Sequence, residues 1–75
     1  MQKPLNSFVV GQKGKVLSIL AQGKMKRKLF DMGVTPGVEI ELKKVAPLGD
    51  PLQLKLRGYD LLIRKDEAAN VIMEC

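Results

Sequence analysis

The 75-residue chain predicts a mainly β domain, a small closed or nearly closed barrel of five short strands. One short helix is expected between the first and second strands, and a helical turn before the last. Three observations carry this. Two stretches alternate apolar and polar residues at the period of a strand, Val38-Ile40-Leu42 against Glu39-Glu41-Lys43 and Leu52-Leu54-Leu56 against Gln53-Lys55-Arg57. One stretch, Lys24–Met32, places Met25, Leu29 and Met32 on a single helical face. The length is the third. A chain this short builds one small core and cannot fill two packed sheets, whereas closing a single sheet on itself removes most exposed strand edges.

Taken in order, Gly11 and Gly14 punctuate the start, and Lys15–Leu20 is the first strand, rich in branched residues. Ala21-Gln22-Gly23 ends it. The helix Lys24–Met32 follows, closed by Gly33 in the left-handed conformation that a side chain disfavours. Pro36-Gly37 is the pair that a type II turn takes at its central positions. The two alternating strands come next, with Glu41 expected opposite Lys55 or Arg57 on the outer face. Their connector, Ala46-Pro47-Leu48-Gly49-Asp50-Pro51, holds two prolines that cannot donate ladder hydrogen bonds, which marks a protruding hairpin tip. Gly58–Asp60 is read as a turn into the fourth strand, Leu61–Arg64. Asp66 is expected to cap the helical turn Glu67-Ala68-Ala69, and Val71–Met73 is the fifth strand. The whole chain, 1–75, reads as one domain.

The composition excludes many activities. There is no histidine, and the single cysteine is Cys75. A Ser-His-Asp or Cys-His catalytic set, a His-based zinc protease site, an intramolecular disulfide and a Cys-rich metal cluster are therefore ruled out. Gly11-Gln12-Lys13-Gly14-Lys15 has the wrong spacing for a phosphate-binding loop, lacks the Ser or Thr after the lysine, and leads into a strand rather than a helix. Ser7 and Ser18 have no base to activate them. No enzymatic activity is expected. Metal ligands cannot be assigned: Asp50, Asp60, Asp66, Glu67, Glu74 and Cys75 follow no recognised ligand spacing, so only weak divalent-cation binding, and no evident cofactor, is expected. No run of about 20 apolar residues is present to span a bilayer, and the start, Met1–Phe8, lacks the apolar stretch of a signal peptide. The expected location is the cytoplasm.

The net charge of +5 is unevenly placed. Every charged residue up to Phe30 is a cation (Lys3, Lys13, Lys15, Lys24, Lys26, Arg27 and Lys28), while the remainder carries six cations against all eight acids. One positive face is expected, suited to an anionic partner. Nucleic acid is not the expected partner, because Phe8, Phe30 and Tyr59 are the whole aromatic complement and two or more of them are expected in the core rather than displayed for stacking.

Leu29, Met32-Gly33, Pro36-Gly37, Ala46-Pro47-Leu48-Gly49-Asp50-Pro51, Gly58, Leu61, Ile63-Arg64-Lys65 and Glu67-Ala68, with Gly11, Gly14, Val16 and Arg27, together resemble the ferrous iron transport protein A (FeoA) family over nearly the whole chain. The hexapeptide preceded by Met-Gly-x-x-Pro-Gly is the specific part. The resemblance implies an SH3-like barrel and a cytoplasmic, non-enzymatic accessory role in ferrous iron uptake. It also implies a partner, the cytosolic GTP-binding part of the membrane permease FeoB, and a protein that is peripheral to the membrane only through that partner. Two alternatives stand beside this: a metal-linked SH3-like regulatory domain of the iron-dependent repressor type, and a small basic barrel that binds nucleic acid. The expected contact surface is the tip Pro47, Leu48, Gly49, Asp50 and Pro51, which has no evident core duty. Leu48 is its apolar anchor unless it folds back as a lid, and Arg27 and Lys28 steer an acidic partner surface. Arg27 is also the arginine least committed to a strand, and hence the one available to a nucleotide site on the partner.

Overall fold

The computed structural model covers residues 1–75. Six strands form one sheet in the order β1-β6-β2-β3-β4-β5, with all pairs antiparallel. They are β1 (Gln2–Pro4), β2 (Lys13–Ile19), β3 (Glu39–Val45), β4 (Leu52–Leu56), β5 (Tyr59–Ile63) and β6 (Val71–Glu74). Helix α1 (Gly23–Asp31) joins β2 to β3, and the short helix α2 (Lys65–Ala68) joins β5 to β6. The expected five strands are thus corrected to six. The additional one, β1, pairs Lys3 with Met73 and Gln2 with Glu74, a match made with the far end of the chain and invisible to local pattern.

The alternation in β3 and β4 turns Ile40, Leu42, Leu52, Leu54 and Leu56 inward, all buried. They join Leu5, Phe8, Val16, Leu29, Val34, Ile63, Val71 and Met73 in one cluster of 16 apolar residues. The sheet curls around this cluster because two strands change register. β2 shifts against β6 between Val16 and Ser18, and β3 against β4 between Leu42 and Lys44. Such bulges bend a strand and increase its twist. The second one also leaves both Lys43 and Lys44 exposed, breaking the alternation at that point.

The edge strands β1 and β5 do not pair with each other. Helix α1 is bonded to the α2–β6 segment, and Met32, which follows it, is bonded to β5. The Tyr59 hydroxyl donates to the Met32 carbonyl at 2.7 Å, Lys28 reaches Glu67 at 2.6 Å, and the Asn70 amide donates to the Met25 sulfur at 3.2 Å. A helix of nine residues is marginal by itself. It is held here by Leu29, which is fully buried, and by Met25 and Met32, which pack partly buried on the core.

Several local expectations hold. Gly33 follows α1 with φ +92°, and Gly37 has φ +92° in a turn closed by the Val38 amide donating to Thr35 at 3.2 Å. Glu41 does lie opposite Lys55. Others change. Strand β2 starts two residues earlier than expected and contains Gly14, where a Cβ would come within 2.7 Å of the Glu74 carbonyl oxygen. Arg57 does not face Glu41: it has φ +50° and forms, with Gly58 at φ +83°, the two-residue turn between β4 and β5. Positive φ at both central residues is the geometry that matches hairpin twist. Strand β5 consequently begins at Tyr59 and ends at Ile63, leaving Arg64 outside it. Asp66 accepts from the Glu67 amide at 3.0 Å as a capping side chain would, but it lies inside α2 rather than before it. The helix starts at Lys65, and the carboxylate of Glu67 reaches back to the Arg64 amide at 3.0 Å.

Candidate partner-binding site

The hairpin between β3 and β4 presents the expected tip. Leu48 is 97% exposed, the most exposed large apolar residue of the protein, so it is not a lid on the barrel end. The tip is braced from behind. The Gly49 amide donates to the Ala46 carbonyl at 2.7 Å, and the Ala46 amide donates to the Pro51 carbonyl at 3.1 Å. Asp50 has a structural duty that the sequence did not disclose: its Oδ1 accepts from the Lys65 amide at 2.9 Å, satisfying one of the unpartnered N–H groups at the start of α2.

Beside the tip, Lys44, Val45, Pro47, Pro51, Gln53 and Leu62 line a groove of about 260 Å³. Leu62 is 61% exposed and was missed as a surface residue. Its signal was present, since Leu61 and Ile63 facing the core force Leu62 outward. The tip and Leu62 together display apolar surface on one side of the hairpin.

Of the two steering cations, only Arg27 is free. It makes no ion pair, whereas Lys28 is committed to Glu67. Glu67 is the one buried charged residue. The hydrogen bond from Lys28 holds its carboxyl below the ordinary carboxylate range, outweighing the opposing push of burial, and the Arg64 amide adds to the lowering. Tip and helix are nevertheless connected, since Asp50 and Lys28 both bond to α2.

The sheet's outer face compensates its own charge. Lys13, Glu41, Lys55 and Asp60 stand opposite one another in a row across β2, β3, β4 and β5, and Glu74, Lys15 and Glu39 form a second row across β6, β2 and β3. A wide groove of about 700 Å³ passes Lys13, Glu39, Glu41, Lys55 and Arg57. It is polar, mixed in sign and open. No three Asp, Glu or Cys side chains converge into a metal-holding group. The aromatic expectation is corrected: Phe8 is buried, but Phe30 and Tyr59 are 41% and 43% exposed. Tyr59 is held by its bond to Met32, and Phe30 lies under the Lys26 ammonium at 5.7 Å.

The FeoA domain model matches residues 3–75. The chain belongs to the FeoA family. A solved FeoA-like protein from Clostridium acetobutylicum is 42% identical and superposes with a TM-score of 0.91, covering 97% of this chain and 85% of that one. FeoA of Stenotrophomonas maltophilia, described as a procaryotic SH3 domain protein and solved complexed with zinc, is 23% identical. It superposes with a TM-score of 0.81, covering 95% of this chain and 88% of that one, and so shares the SH3-like fold. A fusion of Fe(2+) transport protein A with the Fe(2+) transporter FeoB from Porphyromonas gingivalis is 24% identical over 70 residues. That match takes in 93% of this chain but 8% of the fusion protein's length. No helix of this FeoA-family chain is long and apolar enough to cross a membrane.

Proposed function

We propose that this FeoA-family protein is a small cytoplasmic, non-enzymatic accessory of ferrous iron uptake. It acts by docking on the cytosolic GTP-binding part of a FeoB-like permease, which carries the iron. The family and the fusion relative, in which a FeoA unit and FeoB share one chain, support the pairing. The observation that carries the surface assignment is Leu48, almost wholly exposed on a tip whose stem is hydrogen-bonded internally and to α2. A pre-ordered apolar residue loses little conformational freedom on docking. Pro47, Gly49, Asp50 and Pro51 shape the tip, Leu62 extends its apolar side, and Arg27 supplies long-range attraction while Lys28 stays with Glu67.

Leu48→Asp tests this reading. Replacing an exposed side chain changes stability by no more than about 0.5 kcal/mol, so the melting temperature is expected to stay where it is. Association with the permease's cytosolic part and ferrous iron uptake are expected to be lost. A Leu48→Asp protein of normal stability that binds the permease as tightly as the parent would remove the tip from the interface.

A further inference from the structure

Acidic neighbours stand beside much of the positive charge in the first 30 residues, although of these cationic side chains only Lys28 forms an ion pair. Lys13 and Lys15 stand in the cross-strand rows opposite Glu41, Glu39 and Glu74, and Lys28 is bound to Glu67. What remains is concentrated on the outer side of α1. Lys24, Lys26 and Arg27 are exposed there and form no ion pair. Phe30 follows Lys26 by four residues and Arg27 by three, so it sits between the two cations on the outer side of the helix, where Asp31 follows Arg27 by four. Phe30 is 41% exposed under Lys26, and Leu20, just before the helix, is 62% exposed. Asp31 is the single acid of the helix.

From this combination we infer that the outer face of α1 is a second contact surface, and that its occupant is the headgroup layer of an anionic phospholipid bilayer. Cationic side chains flanked by apolar ones are what such a layer binds: phosphates take the ammonium and guanidinium groups, and Phe30 and Leu20 enter the boundary with the acyl chains. Both grooves of the protein lie elsewhere, among residues of β2–β5 and the tip. The α1 face carries no groove and is built of long, flexible side chains, which fits a fluid anionic layer better than a fixed protein pocket. Nucleic acid is disfavoured because this face offers a single ring for stacking. No tip residue belongs to this face, so a protein seated on the bilayer by α1 keeps Leu48 exposed, while Arg27 is shared between the two surfaces.

Co-sedimentation with vesicles in buffer containing about 150 mM salt tests the inference, comparing phosphatidylcholine alone with phosphatidylcholine and phosphatidylglycerol at a ratio of about three to one. The protein is expected on the anionic vesicles and not on the neutral ones. Each cation near an anionic surface strengthens binding roughly fivefold, so Lys24→Gln, Lys26→Gln and Arg27→Gln together weaken it about a hundredfold. Asp31→Asn strengthens it, and Leu48→Asp leaves it unchanged. The altered side chains are exposed, so melting temperatures serve as the folding control. As a probe without a Lys or Arg change, Leu20→Trp gives a blue-shifted emission on anionic vesicles only. Absence of binding to anionic vesicles, binding that survives the triple substitution, or tighter binding to a uridine oligonucleotide than to the vesicles would each overturn the assignment.

Discussion

Replacing Lys28 by methionine removes one charge and leaves the buried carboxylate of Glu67 facing an apolar side chain. In the parent protein that carboxylate accepts from the Lys28 ammonium at 2.6 Å and from the Arg64 amide at 3.0 Å, with its side chain 8% exposed. Breaking a fully buried pair costs about 3–5 kcal/mol. Lys28 itself is 55% exposed, so water already reaches the ammonium side of the pair and can solvate part of the abandoned carboxylate. The Arg64 amide also remains. The expected loss is therefore about 1–2 kcal/mol, which in a domain of this size lowers the melting temperature by roughly 4–15 °C. The loss carries a pH signature. A carboxyl held below its ordinary value of 4.5 contributes stability that is present above that value and disappears as pH falls through the depressed native one. The gap between parent and variant is accordingly full at neutral pH and narrows below about pH 4. Thermal melts followed by circular dichroism across that range provide the assay. Equal melting temperatures at pH 7, or a gap that does not shrink on acidification, would show that the pair does not support α1 as argued.

Two further outcomes are expected. Gly33→Ala is strongly destabilising, because the residue has φ +92° and its new Cβ would meet the Tyr59 hydroxyl at 2.5 Å. Backbone strain alone is on the order of 1–3 kcal/mol, so denaturant melts should show a loss in that range or above, and a variant of parental stability would contradict the close approach. Titration calorimetry with ferrous, zinc or manganese ions is expected to reveal no stoichiometric sub-micromolar site, since no three acidic or thiol side chains converge. Such a site would require ligands brought together by a rearrangement or a second chain.

What the sequence discloses is what repeats locally. Strands β3 and β4 were readable because their period of two survives over several residues, and α1 because Met25, Leu29 and Met32 mark one face. Gly33 and Gly37 announced their backbone conformations. Long-range matches were hidden. Strand β1 is three residues long, ends in a proline, and exists because it finds β6. Arg57 adopts a conformation usually left to glycine, asparagine or aspartate, so pattern alone extended the strand through it. Asp66 looked like the residue that precedes α2, yet the helix begins one residue earlier at Lys65, and Glu67 bonds back to the Arg64 amide while it also holds Lys28 from 39 residues away. The tip was recognisable from its prolines. Whether Leu48 turned outward or inward was decided by the bracing of its stem, which involves Lys65.

Helix α2 is only four residues long, yet it receives the Asp50 carboxylate from the tip at its first amide and sends the Glu67 carboxylate to α1, while Asn70 just beyond it holds Met25. It therefore works as a keystone. Besides the tip's internal bonds and the core packing of the basic helix, both lean on this one turn of backbone. Segments that share such a support open and close as one cooperative unit rather than one at a time. Slackening at this turn would loosen both outward-facing surfaces together, and tightening it would steady both.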